Sequence, residues 1–229
     1  MEFVHMPSTI WTQISLARRK GGMALEDLLR KYRPPVLAFV RNMGLDVQDA
    51  EDLTQEIFLR VVEEKVVEKA NKETGKFRSL LLAVTRHTVL RWKRDSHRLK
   101  RGGGRAKIAL GQDSDSPGLE DLFAAPAEEE PAFDGVWVQN LVRLAMERLK
   151  VECEKSGTPY YRALMMYTDQ GRAYADISQE LQVSIQDVKN YLHQARIRLK
   201  KQVANEIQEY SNSSAEFEAE AEYLAKYLK

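Results

Sequence analysis

From Ala24 to about Asp95 the apolar positions recur at intervals of three and four, as in Leu25, Leu28 and Leu29, then Val36, Phe39 and Val40, then Leu53, Ile57 and Val61. That period puts each set on one face of a helix, so the stretch predicts a helical domain. Pro34 and Pro35 fall where a helix begins its first turn or kinks, and Gly44 to Asp46 predicts a break before the next helix. Helical periodicity resumes near Val136 and runs to about Val203, and no alternating run signals a strand. The expected fold class is all-α, with two small helical domains.

The join between them differs in character. From Gln112 to Gly135 eight acidic residues occur with no Lys or Arg, among frequent Pro and Gly, which predicts an acidic flexible linker. After Val203 the chain becomes acidic again: residues 206–229 hold six Glu against two Lys. This tail predicts a short amphipathic helix carrying Phe217, Tyr223, Leu224, Tyr227 and Leu228, which folds against either domain and masks a binding surface or docks a regulator, with a frayed solvated extension as the plainer alternative. The expected organisation is an N-terminal segment 1–20, a first domain 21–101, a basic then acidic linker 102–135, a second domain 136–203 and an acidic extension 204–229.

The most informative stretch is YADISQELQVSIQDVKNYLHQARIRLKK, residues 174–201. Ile177 and Leu181 give one short helix its apolar face, and Ile185, Val188, Leu192 and Leu199 give the next helix another. Ser184 with Asp187 three residues on predicts a capping box that fixes where the second helix starts. The polar face left on that helix carries Gln186, Lys189, Asn190, His193 and Gln194, followed by Arg196, Arg198, Lys200 and Lys201. Asn and Gln pair with adenine and Lys reaches guanine in a major groove, while trailing cations hold phosphates. A two-helix hairpin with a polar outer face is the plainer alternative.

The net charge of +1 conceals this segregation. Residues 85–107 carry nine Lys or Arg and one Asp, with Trp92 among them. Cations beside a flat ring suit phosphates and an unpaired base; a solvated basic helix end with Trp92 in the core is the alternative.

Other chemistry finds little support. The single cysteine, Cys153, forms no internal disulfide and suits a reducing, cytoplasmic setting. The stretch MEFVHMPSTIW has no charged leader before an apolar core, and no run reaches the length of a membrane span, so no membrane association is expected. His5, His87, His97 and His193 form no HExxH spacing, and neither a Gly-rich phosphate loop nor a nucleophile elbow occurs. No enzyme activity, metal or cofactor is expected.

Taken in order, the motifs resemble the extracytoplasmic-function (ECF) sigma factors of bacterial RNA polymerase. YRPPVLAFVRNMGLDVQDAEDLTQEIFLRVVEE, with its DAEDLxQExF signature, is similar to the start of sigma region two, and KFRSLLLAVTRHTVLRWKR (76–94) to the helix that follows. STIWTQI and NLVRLAMERLKVECEKSG look like the variety abundant in planctomycetes. The resemblance implies that Asp49, Asp52, Gln55 and Glu56 dock on the clamp helices of the largest polymerase subunit. It implies that Lys76, Phe77 and Arg78, with Arg86, His87, Arg91, Trp92 and Arg94 along the helix, handle the melted minus-ten element. It assigns Gln186, Lys189, Asn190, His193, Gln194, Arg196 and Arg198 to the minus-35 element. Implied partners are core polymerase, including the flap of its second-largest subunit, promoter DNA and an anti-sigma factor or kinase-type regulator. The residues themselves agree in part: Asp49, Asp52 and Glu56 share one face of a helix whose other face carries Ala50, Leu53, Ile57 and Val61. They also permit Phe77 as a core aromatic and His87 as a surface or half-buried side chain.

The chain departs from the family pattern at four places. Gln182 stands where the turn commonly has Gly, Ala173 where Ser or Thr precedes the first helix, Gln194 where Arg is frequent, and Arg91 where many relatives are acidic. Gln in a left-handed turn costs on the order of 1 kcal/mol. A standalone helix-turn-helix regulator is the rival reading, and it leaves the first domain unexplained.

Overall fold

The computed structural model describes residues 23–63, 77–101, 131–211 and 213–227, with the side chains of 23–30, 62–63 and 97–101 excepted. Among the described residues the regular structure is helical throughout, as the periodicity predicts. The described residues hold, in order, α1 (Met23–Asn42), α2 (Val47–Glu63), α3 (Phe77–Arg101), α4 (Pro131–Ser156), α5 (Tyr160–Thr168), α6 (Tyr174–Leu181), α7 (Ile185–Tyr210) and α8 (Ser214–Ala225). No described helix is long and apolar enough to cross a membrane.

The helix α1 runs through Pro34 and Pro35 rather than starting there. Proline has no N–H, so Pro35 leaves the carbonyl of Lys31 without its helical donor. Asn140 of α4 supplies the replacement, donating from Nδ2 to that oxygen at 2.7 Å. A long-range contact thus repairs a local defect. The break after α1 falls where the sequence put it: Gly44 has φ 89°, and its N–H reaches the Arg41 carbonyl at 2.9 Å. Asp46 then caps α2, accepting from the Asp49 N–H at 2.8 Å.

Among the described residues the buried side chains form two clusters. The first holds the inner faces of α1, α2 and α3, and it also takes in Phe133, Trp137, Val138, Leu141 and Ala145 of α4, Val203, Ile207 and Tyr210 of α7, and Leu224 of α8. At its centre Tyr32 stacks on Trp137 with centroids 5.3 Å apart, and Phe77 meets Tyr32 edge-on at 5.0 Å. The second cluster lies where Leu149 and Cys153 of α4 meet α5, Ile177 of α6, and Val188, Leu192 and Ala195 of α7. Helices α4 and α7 pair along their length and join both clusters, so the two domains are packed together through a shared two-helix stalk.

Two boundaries differ from expectation. The acidic stretch expected as linker ends inside α4, where Phe133 and Asp134 are fully buried; the rest of that segment, 102–130, lies outside the described residues. The acidic extension is also structured. The α7 helix continues past Val203 to Tyr210, and α8 folds back so that Leu224 joins the first cluster. Tyr223 and Phe217 pack against that cluster as the amphipathic pattern predicts, while Leu228 lies outside the described residues.

Candidate functional site

The second cluster presents a helix-turn-helix. Its turn is made by Gln182, at φ 55° and ψ 46°, the left-handed conformation that the sequence reading associated with a Gly position. The Gln182 N–H reaches the carbonyls of Gln179 and Ser178, and the Val183 N–H reaches that of Ser178 at 3.1 Å. The helix α7 then begins with the expected box: the Ser184 hydroxyl accepts from the Asp187 N–H at 3.1 Å while the Asp187 carboxylate accepts from the Ser184 N–H at 3.1 Å. The first helix has no side-chain cap, because Ala173 at its N-cap has none to give.

With the start of α7 fixed, Gln186, Lys189, Asn190, His193 and Arg196 are exposed, and Gln194 is half-buried. Gln186 donates to Asn190 at 3.2 Å, so the two amides hold each other on the outer face. Arg198 differs. It pairs with Glu152 of α4, and its guanidinium lies 5.0 Å from the Tyr160 ring centroid. It braces α7 against α4 and α5, a role that helical periodicity does not reveal. Sequence reasoning also missed Arg162 of α5 and Arg172 before α6, which both bind Glu180. Hydrogen bonds from Arg162 and Arg172 hold the Glu180 carboxyl below its usual range.

The first half offers a second set. On α2, Asp52 and Gln55 are exposed and Asp49 and Glu56 half-buried. Gln48 donates to Asp52 at 3.2 Å, and Arg60 bonds Glu56 at 2.7 Å, each one turn away along the helix. The face is therefore acidic but laced with local partners. On α3, Arg94 is exposed, and Arg86, His87, Arg91 and Trp92 are half-buried, with the Trp92 ring against the first cluster. Arg91 lies 3.9 Å from Asp95, and Lys93 donates to the Met43 carbonyl at 2.6 Å. Neither ring nitrogen of His87 has a hydrogen-bond partner. Burial, then the charges of Arg60, Arg94 and Arg91, lower its pKa from the ordinary 6.5.

At the start of α3 the geometry changes. Lys76 lies outside the described residues. Phe77 is fully buried among Tyr32 and Trp137, which is the core-aromatic alternative. Arg78 is buried too, held by Asp134 of α4 and by Glu220 of α8, with its Nε 2.7 Å from the Glu220 Oε1. Burial would lower the Arg78 pKa, but the hydrogen bond and charge of Glu220 and the charge of Asp134 raise it. In this conformation these two side chains face protein, while the other described candidates on α3 remain at least partly open to solvent. The structure brings the minus-35 candidates other than Arg198 onto one outer face and separates Phe77 and Arg78 from the rest of the α3 set.

Among the described residues no group of His, Cys, Asp or Glu is arranged to hold a metal ion. What the arrangement offers is a polar helix face for a groove, a basic helix end with one aromatic, and an acidic helix face.

Two family models match the chain: sigma-70 region 2 over residues 28–99 and sigma-70 region 4 over residues 158–199. The ECF RNA polymerase sigma factor SigC of Mycobacterium tuberculosis is 36% identical over 48% of this chain and 60% of its own length. ECF RNA polymerase sigma factor SigE of Mycolicibacterium smegmatis is 27% identical over 82% of this chain and 65% of its own length. RNA polymerase sigma factor YlaC of Bacillus subtilis is 23% identical over 81% of this chain and 95% of its own length. The chain thus spans less than two thirds of the two mycobacterial relatives. The two models match in the order in which the two helical clusters were built: the chain carries a sigma-70 region 2 match in its first half and a region 4 match in its second, and it is similar to proteins designated RNA polymerase sigma factors, two of them of the ECF kind.

Proposed function

We propose that the chain is a non-catalytic transcription initiation factor that binds core RNA polymerase and directs it to promoters with a minus-ten and a minus-35 element. The observation that carries this reading is the outer face of α7. A helix start fixed by the Ser184–Asp187 box and the Gln182 turn presents Gln186, Lys189, Asn190 and His193 side by side to solvent. Amide and ammonium groups in that register suit base edges in a major groove. Arg196, Lys200 and Lys201, exposed farther along, suit phosphates.

In this reading Asp49, Asp52, Gln55 and Glu56 of α2 meet the clamp helices of the largest subunit, region 4 meets the flap of the second-largest, and Arg86, His87, Arg91, Trp92 and Arg94 line the path of the minus-ten strand. Lys76, Phe77 and Arg78 join that path once the start of α3 is uncovered. Arg198 acts from behind, by orienting α7. The protein works in the cytoplasm, is of the planctomycete variety, and answers to an anti-sigma factor or kinase-type regulator.

The test is transcription in vitro from fragmented genomic DNA by purified bacterial core polymerase, with and without this protein, with transcript starts mapped. New starts that share two upstream elements are expected. Core that fails to bind the protein would refute the reading and leave the standalone helix-turn-helix regulator in its place.

A further inference from the structure

The buried partners of Arg78 come from outside the family-matched parts of the chain. Arg78 lies within the region 2 match, whereas Asp134 and Glu220 lie outside both matched segments. Around the guanidinium, Tyr223 of α8 stacks with its ring centroid 4.7 Å away and donates its hydroxyl to Asp134. Tyr227 donates to the same carboxylate at 3.3 Å, and Tyr210 of α7 donates to Glu220 at 3.4 Å. The side chain of Arg78 is 7% exposed, and those of Asp134 and Glu220 are fully buried. Three charges thus meet in the interior from three elements, separated by 56 and 142 positions in sequence.

Such a network forms only when α3, α4 and α8 come together, because removing one member strands a charge in a low-dielectric site. Its position matters as much as its chemistry. Beneath it run Phe77, Tyr32, Trp137 and Phe133, the aromatic contact through which region 2 holds the α4–α7 stalk. The helix α8 fully buries one hydrophobic side chain, Leu224, and Phe217, Ala221 and Tyr223 pack against the same cluster while staying partly open to solvent. Its attachment combines this partial apolar contact with the polar partners, and a buried ion network adds little net stability to it because desolvation offsets the Coulombic gain. An element held this way is suited to release.

We propose that α8 is a clasp: through Glu220, Tyr223 and Asp134 it locks region 2 against the region 4 stalk and occupies Arg78, so the two promoter-reading surfaces are held in one closed arrangement until α8 is displaced. The occupation of Arg78 as a barrier to nucleic acid rests on the function proposed above; the closure itself does not. Opening frees the α3 start, where a strand phosphate can replace the carboxylates on the guanidinium.

The experiment measures distance with spin labels at Gln48→Cys on α2 and Glu154→Cys on α4, both exposed positions, in a Cys153→Ser background. The full chain is expected to give one narrow distribution. Glu220→Gln is expected to raise the longer-distance population about tenfold, the scale of an ordinary coupling between two sites. A chain ending at Tyr210 should do the same, and a peptide of residues 211–229 added in trans should restore the narrow distribution. Both variants keeping it, with unchanged helical circular dichroism, would overturn the clasp. If the shortened chain loses its helicity, Glu220→Gln and Tyr223→Phe in the full chain decide in its place. A random-sequence single-stranded oligonucleotide provides the second arm, with about tenfold tighter binding expected for Glu220→Gln. Opening without tighter binding would refute the strand role of Arg78 and leave the clasp standing.

Discussion

The two clusters place their candidate nucleic-acid residues in opposite ways. In region 4 the polar outer face of α7 is open to solvent, and its geometry is set by bonds between near neighbours in sequence. In region 2 the start of α3 turns Phe77 and Arg78 inward, onto residues that arrive from distant parts of the chain. Local bonds fix a shape without closing a surface. Long-range bonds fix an arrangement of domains, and here they cover two of the residues proposed to meet the minus-ten strand. The difference teaches that a chain with two such helical units can present one candidate surface and hold part of the other covered.

That comparison breaks first at the aromatic centre. Trp137 packs on Tyr32, Phe133 and Tyr210 and is fully buried. Trp137→Ala should cost about 3–5 kcal/mol, the range for deleting a buried aromatic. The loss should fall on the first cluster. Amide exchange is expected to show lost protection in α1 to α3 with protection kept around Ile177, Val188 and Leu192, and uniform loss across the chain would show that the two clusters fold as one unit.

The converse test touches only region 4. Ser184→Ala removes the hydroxyl that satisfies the Asp187 N–H, with an expected cost of about 1 kcal/mol. The frayed first turn of α7 carries Gln186 and Lys189, so duplex binding should weaken while the spin-label distance between the clusters stays unchanged. A shift in that distance would mean that the reading helix and the closed arrangement are coupled.

A pH series separates the clusters further. The His87 pKa is lowered in the folded chain by burial and by Arg60, Arg94 and Arg91. Between that lowered value and the ordinary 6.5 the unfolded chain binds more protons than the native one, so stability rises with pH. The contribution is complete above 6.5 and is lost as pH falls through the folded pKa. Denaturant melts of the first cluster at descending pH should show this loss, and His87→Gln should flatten it. An unchanged slope in the variant would assign the acid sensitivity to other groups.

How much of this could be read beforehand follows the same division. The turn, the capping box and the exposed row on α7 depend on residues within one or two helical turns, and each is visible in the string from Tyr174 to Lys201. The buried pairing of Arg78 leaves no such trace. Acidic composition argued for solvated linker and tail, yet Asp134 and Glu220 are buried against Arg78, and Glu206 is buried with Lys31 and Arg148. Burial raises the Glu206 carboxyl above its usual range against the pull of Lys31 and Arg148. A local signal for the α4 start did exist: Pro131 at a first helical position, followed by Phe133, Val136 and Trp137 at helical spacing. The count of charges in that window hid it. The helix through Pro34 and Pro35 could not be foreseen, because what sustains it is Asn140, more than a hundred residues away.

The smallest expected effect lies in the turn itself. Gln182 holds φ 55°, where a Cβ crowds the following carbonyl, and its side chain is exposed. Gln182→Gly removes that crowding, on the order of 1 kcal/mol, and returns part of the gain because glycine widens the freedom of the unfolded chain. The net should be a stabilisation of a few tenths of a kcal/mol, confined to the second cluster and read from its denaturation midpoint. Duplex binding tells what the glutamine is for. Unchanged binding would make Gln182 a tolerated departure from the family's glycine. Weaker binding in a more stable variant would mean that its exposed amide reaches the DNA, which would extend the reading face of region 4 from the start of α7 back into the turn.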